Sequence, residues 1–112
     1  MLPDTRKYLF DILAATTDIE AFIHDYDLCN YRNDPKCKAA VERKLEIIGE
    51  ACTRIRNVDP DTFEKLPYGH QVIGLRNRVI HGYEHVDDAI IWDVASIKLK
   101  PFAQQVERLA DP

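Results

Sequence analysis

The feature that most constrains this 112-residue chain is an apolar stripe: Val41, Leu45, Ile48, Cys52 and Ile55, at alternating steps of four and three. That rhythm keeps to one face of an α-helix, whereas a strand would alternate faces at every residue. Both ends of the stripe are marked. Asp34 offers a capping oxygen, and Pro35 follows with a fixed φ that suits the first helical turn. The stretch from Asn57 to Pro60 closes it. A helix of this kind must bury its stripe against other helices.

The remainder of the chain supplies them. Pro3 and Asp4 start a first helix with Tyr8, Ile12, Ala15, Ile19, Phe22 and Tyr26 on one face, interrupted by Asn30, Asn33 and Asp34. Residues Asp61 to Leu66 read as a short helical turn. A third helix is predicted from about Tyr68 to His81, with Val72, Leu75 and Val79 inward and Gly82 as its stop. Asp87 or Asp88 caps a fourth, carrying Ile90, Ile91, Val94 and Ile97. Pro101 is expected to kink or break it, and Phe102, Val106 and Leu109 continue beyond. The expectation is all-α: a compact up-and-down bundle of four to five helices forming one domain over residues 1–112. Gly49 and Gly74 sit inside otherwise good helices and are read as points where the second and third helices approach closely.

Composition excludes several classes. Hydrophobic residues make up 46%, too many for a disordered chain. No stretch approaches the roughly 18 uncharged apolar residues of a membrane span. Met1-Leu2-Pro3-Asp4 has no basic stretch leading into an apolar run, so no secretory signal is expected. Three cysteines (Cys29, Cys37 and Cys52), an odd number without a C-x-x-C, point to free thiols in a reducing cytoplasm. Cys52 reads as a small core residue. A net charge of −4 argues against nonspecific coating of nucleic acid. Positive charge is nonetheless concentrated locally: residues 35–56 carry six basic and three acidic side chains. Local fields, not the net charge, decide where an anion binds.

The densest polar cluster is Arg76-Asn77-Arg78-Val79-Ile80-His81-Gly82-Tyr83. Asn77 and His81 are four apart and share a helical face. Arg76 and His81 are five apart, about 140° around an ideal helix. Convergence of the two needs either a loosened last turn or a second copy across a two-fold axis. At a helix C-terminus the dipole favours a protonated imidazole, which would suit general acid–base work near neutral pH. Arginine is a permanent cation with a fork matched to phosphate oxygens. Together they suit metal-independent RNA cleavage, in which a base activates the 2′-OH, arginine stabilises the phosphorus centre and an acid protonates the leaving 5′-oxygen.

This segment resembles the R-x-x-x-x-H-x-Y motif of the HEPN superfamily, in its HepT-like toxin branch, through Arg76, His81 and Tyr83. Asn77 matches the polar residue that often follows the arginine. The stretch from Ala40 to Ala51 resembles the family's second-helix signature. Val72-Ile73-Gly74-Leu75 leads into the motif, and Val86 to Asp93 resembles the following helix. Pro67-Tyr68 stands where relatives often have Pro-Trp, which keeps an aromatic. The resemblance implies a homodimeric endoribonuclease toxin of a type VII-like toxin–antitoxin system, with Arg76 and His81 of both chains catalytic at the dimer cleft. Asn77 and Arg78 are expected to support them. It also implies a minimal nucleotidyltransferase antitoxin of the MntA type that adenylylates Tyr83. No cofactor or metal is expected: ATP belongs to the partner, and AMP is the group attached. The implied partners are RNA, a second copy and the antitoxin, with neither membrane nor DNA.

Other readings carry less. His81 and His85 have zinc-like spacing, but Gly82 intervenes and no third ligand is placed. His24 and His70 read as surface or boundary residues. Asp59-Pro60-Asp61 reads as a turn and helix cap. Glu46 and Glu50 read as a solvated face or as interchain salt-bridge partners for Arg76 or Arg78. Trp92 reads as core or interface. The alternative function is a noncatalytic helical module that docks substrate for a nucleotidyltransferase.

Overall fold

The structure, a computed structural model, describes residues 1–81 and 87–110, and the side chains of all of these except 79–81. Among the described residues the chain is helical and has no strand. The elements are α1 (Pro3–Phe22), α2 (Leu28–Arg32), α3 (Pro35–Val58), α4 (Pro60–Phe63) and α5 (Gly69–His81). They are followed by α6 (Asp88–Asp93), a π-helical turn (Val94–Lys98) and α7 (Leu99–Ala110), which run end to end.

Helix α3 is the hub. Its cap is the expected one: the Asp34 side chain accepts the Cys37 N–H at 3.0 Å, and Pro35 opens the first turn. Val41, Leu45, Ile48, Cys52 and Ile55 are all buried, so the stripe faces the core along its whole length. Helix α1 packs along one side of α3 and α5 along another, while α7 closes on α1. Asp59 ends α3 and caps α4, where it accepts the Thr62 N–H at 3.3 Å and the Thr62 hydroxyl at 2.8 Å. Thr5 Oγ1 donates to the same carboxylate at 3.0 Å and ties the start of α1 to this corner.

Several elements depart from expectation. Helix α1 stops at Phe22, before Tyr26, and a separate five-residue helix, α2, follows. Its capping box, between Asp27 and Asn30, overrides the apolar rhythm. It brings Tyr31 into the core, fully buried, beside Trp92 at 5.6 Å between ring centroids. The buried face of α1 runs through Thr5, Leu9, Ile12, Ala15, Thr16 and Ile19, whereas Phe22 is exposed. Thr16 can be buried because its hydroxyl donates to the Ile12 carbonyl at 2.9 Å.

Pro101 does not break the last helix. The strain is taken up just before it, in the π-turn, where the Leu99 N–H reaches back to the Val94 carbonyl. The inward residues are Ile91, Ala95, Leu99, Phe102, Val106 and Ala110, while Ile90 and Ile97 are exposed. Asp87, not Asp88, caps α6, accepting the Ala89 N–H at 2.8 Å. The expectations for the Val79 side chain and for Gly82 as a helix stop lie outside the described residues.

Candidate active site

Helix α5 carries Arg76, Asn77 and Arg78, and His81 is its last residue. It crosses α3 at Gly49, and the crossing is close. A Cβ placed on Gly49 would lie 2.2 Å from Arg76 Cβ, 2.7 Å from Arg76 Cγ and 3.3 Å from the Val72 carbonyl oxygen. The missing side chain is therefore the notch in which the root of Arg76 lies. The expectation of close approach holds at Gly49 and fails at Gly74, which is exposed and has nothing within 4 Å of an added Cβ.

From that notch the Arg76 side chain reaches Glu50. Its Nη2 donates to Glu50 Oε2 at 2.8 Å, and its Nη1 donates to Asn77 Oδ1 at 3.1 Å. The other carboxylate oxygen, Oε1, takes Arg54 Nε at 3.1 Å. Arg76 Nε is buried, with no partner among the described residues. Glu50 thus pairs with Arg76 within one chain, where the sequence suggested either a solvated face or an interchain pair. Glu46 is taken by Arg43 at 3.0 Å. Arg78 and Asn77 are exposed on α5.

Arg76, Glu50, Arg54, Glu46 and Arg43, but neither Asn77 nor Arg78, line an open groove of about 540 Å³ between α1, α3 and α5. Its walls carry four cations (Lys7, Arg43, Arg54 and Arg76), three carboxylates (Asp11, Glu46 and Glu50) and the ring of Tyr8. The chain as a whole is acidic, but this groove has one more cation than anion. A guanidinium fixed at its root and lining such a groove, with N–H groups left over at its tip, is suited to holding a phosphate oxygen.

The other candidates fall elsewhere. Trp92 is partly buried against the core, and His70 is exposed with its ring edge-on to Phe63 at 4.8 Å. His24 is exposed beside Asp25. No group of His, Cys, Asp or Glu among the described residues is arranged to hold a metal ion. The expectations for the His81 side chain, for Tyr83 and for the His81–His85 pair lie outside the described residues. All three cysteines are free, and burial pushes the Cys52 thiol up to about 12. No helix among the described residues is long and apolar enough to cross a membrane.

Sequence reasoning found Arg76 through its motif and read Gly49 as a close approach of two helices, without connecting the two. Gly49 in mid-helix was the available signal, since an unexplained glycine marks close backbone approach. The pairing of Glu50 with Arg76 was read only as an interchain alternative, whereas the structure forms it within one chain, across 26 positions.

The class of this all-helical chain is given by its similarity to known proteins. The model of the family described as Ribonuclease HepT-like matches residues 12–109. Among similar proteins, one named "Putative RNase" from Methanocaldococcus jannaschii is 34% identical over 93% of this chain and 94% of its own length. A second of the same name from that organism is 31% identical over 95% of this chain and 90% of its own. "Probable ribonuclease HepT" of Thermococcus cleftensis is 34% identical over 85% of this chain and 90% of its own. No solved structure gives a significant match. The chain belongs to the HepT-like ribonuclease family.

Proposed function

We propose that this chain is a metal-independent endoribonuclease toxin whose active site combines Arg76 and His81 at the cleft of a homodimer. The observation that carries this reading is the placement of Arg76, rooted in the Gly49 notch and open to a groove with a small excess of positive charge. A second observation favours a shared site. Helix α5 remains α-helical through His81, so positions 76 and 81 lie about 140° apart around its axis. One copy alone does not bring those positions together, and a two-fold partner supplies the complement.

In this mechanism Arg76 binds the scissile phosphate and stabilises charge as the phosphorus becomes crowded. His81 of one chain takes the proton from the ribose 2′-OH, whose oxygen attacks the adjacent phosphorus. The bond from phosphorus to the 5′-oxygen breaks, and His81 of the other chain protonates that oxygen. Tyr83, two positions beyond His81, is the acceptor of AMP from a minimal nucleotidyltransferase. A nucleotide there would obstruct the cleft and place negative charge where RNA phosphate binds.

RNA cleavage by tag-free protein prepared without the partner tests the reading. His81→Ala should keep the wild-type melting temperature and lose cleavage, and wild-type cleavage by that variant would refute the mechanism. Intact mass after co-expression with the nucleotidyltransferase should show AMP mapping to Tyr83. AMP on another residue would overturn the regulatory part. Absence of cleavage by unmodified wild type would favour the noncatalytic docking module.

A further inference from the structure

We infer that Glu50 is a positioning residue for this ribonuclease: it aims the Arg76 guanidinium at the scissile phosphate. The inference rests on the reading that Arg76 contacts that phosphate, and goes beyond it to the group that holds the arginine.

The geometry is a two-point clamp. The root of Arg76 is fixed against the α3 backbone at Gly49, where no other residue type leaves room for Cβ and Cγ. The tip is fixed one residue further along α3, where Nη2 meets Glu50 Oε2 at 2.8 Å. Adjacent residues of α3 thus set both the path and the end-point of one side chain. Asn77 takes Nη1 at 3.1 Å as a third restraint. A guanidinium has five N–H donors. With one from each terminal nitrogen engaged, each keeps a second N–H for a phosphate oxygen. A free arginine must give up its rotamer freedom when it meets substrate, whereas a clamped one has already done so.

The clamp does not quench the charge it holds. Glu50 divides its two oxygens between Arg76 and Arg54, so one carboxylate serves two guanidinium groups and a positive charge remains. Glu50 is also 40% exposed, so water screens the pair. Its main effect is therefore on direction, and a direction error of about 1 Å at a reacting centre costs on the order of a hundredfold in rate.

The test is steady-state RNA cleavage by the full chain as wild type, Glu50→Ala, Glu50→Gln, Arg76→Ala and the Glu50→Ala/Arg76→Ala double variant, with thermal melting of each. Glu50→Ala should lower kcat by about tenfold to a hundredfold. Its KM should be unchanged or lower, because a negative charge has left the groove. Glu50→Gln keeps a neutral acceptor for Nη2, and its kcat should lie between the two. Adding Glu50→Ala to Arg76→Ala should cost nothing more. A kcat for Glu50→Ala at or above wild type overturns the inference, as does an equal loss in the Arg76→Ala background. If Glu50→Ala fails to fold, Glu50→Gln decides: reduced kcat without a raised KM supports the clamp, and wild-type kinetics overturn it. Arg76→Ala separates the layers. Wild-type cleavage by that variant brings down the active-site reading itself, whereas an inactive Arg76→Ala beside a fully active Glu50→Ala removes only the clamp.

Discussion

The two helical glycines allow the same substitution to be predicted with opposite signs. Alanine in a helix interior is favoured over glycine by about 1 kcal/mol, so an unobstructed site should gain nearly that much. Gly74 is such a site: it is exposed, and an added Cβ meets nothing within 4 Å. Gly49→Ala carries the same gain but must place a Cβ 2.2 Å from Arg76 Cβ. That atom is set by the α5 backbone and cannot rotate away. The two helices must part by about 1.5 Å to restore van der Waals contact, and overpacking of this kind costs about 1–3 kcal/mol. With the contact as short as it is, the upper end applies, and the net is about 2 kcal/mol of destabilisation. A domain of this size shifts by about 4 °C per kcal/mol. Melting followed by far-UV circular dichroism should place Gly49→Ala about 8 °C below wild type and Gly74→Ala about 2–4 °C above it. If Gly49→Ala melts as high as Gly74→Ala, the notch does not determine the crossing of α3 and α5, and the account of how Arg76 is seated fails with it.

Two further sites give definite outcomes. Asp59→Ala removes the cap of α4 and its tie to Thr5, and should cost about 1–2 kcal/mol in denaturant unfolding at neutral pH. The Thr62 hydroxyl, first among several hydrogen-bond donors, holds the Asp59 carboxyl below its ordinary value. A depressed folded-state value means the stabilisation is present above the unfolded pKa and fades as pH falls through the folded one. The gap between wild type and Asp59→Ala should therefore shrink below about pH 4, and a gap that stays constant to pH 2 would contradict the assignment. Tyr31 is fully buried, its hydroxyl has no partner among the described residues, and burial pushes its phenol upward. Tyr31→Phe should leave stability unchanged or raise it by up to about 1 kcal/mol, while a loss larger than that would mean the hydroxyl is bonded.

What could be read from the sequence was what local chemistry decides. Helix α3 was legible because its cap, its proline and five buried stripe residues all agree. The Asp59 corner was legible because an Asp-Pro step both ends one helix and starts the next. Helix α1 was found with Ile12, Ala15 and Ile19 inward as expected, but the start of its inward face was misjudged. Tyr8 and Leu9 are adjacent and both apolar, so two neighbouring stripes fit equally well, and packing against α3 and α7 chooses the one through Leu9. Helix α2 was missed because five residues are too few to show a period. Ile90 and Ile97 are seven residues apart and share one face, but the neighbouring face through Ile91 is the one that packs inward, and Pro101 did not say how the chain before it would be wound. At the site, Arg76 was visible as a residue type in a motif. Its partner was visible only as one of several interchain options, because a bond across 26 positions within one chain exists only once α3 and α5 have crossed.

With the active site proposed above, that crossing accounts for how a chain of net charge −4 can serve a polyanionic substrate. A basic surface attracts RNA everywhere and pays little attention to which phosphate it meets. Here the cations that line the groove are held in place by carboxylates: Glu46 takes Arg43, and Glu50 joins Arg54 to Arg76. The excess of positive charge is small, so general attraction is weak, and what distinguishes Arg76 is that its direction is fixed. Gly49 sets where the side chain leaves α5, and Glu50 sets where it ends. The same few ångströms of helix contact therefore govern the packing of α5 on α3 and the aim of the arginine. A mutation that loosens the crossing should reduce cleavage before it unfolds the domain, because catalysis is sensitive to displacements that a hydrophobic core tolerates.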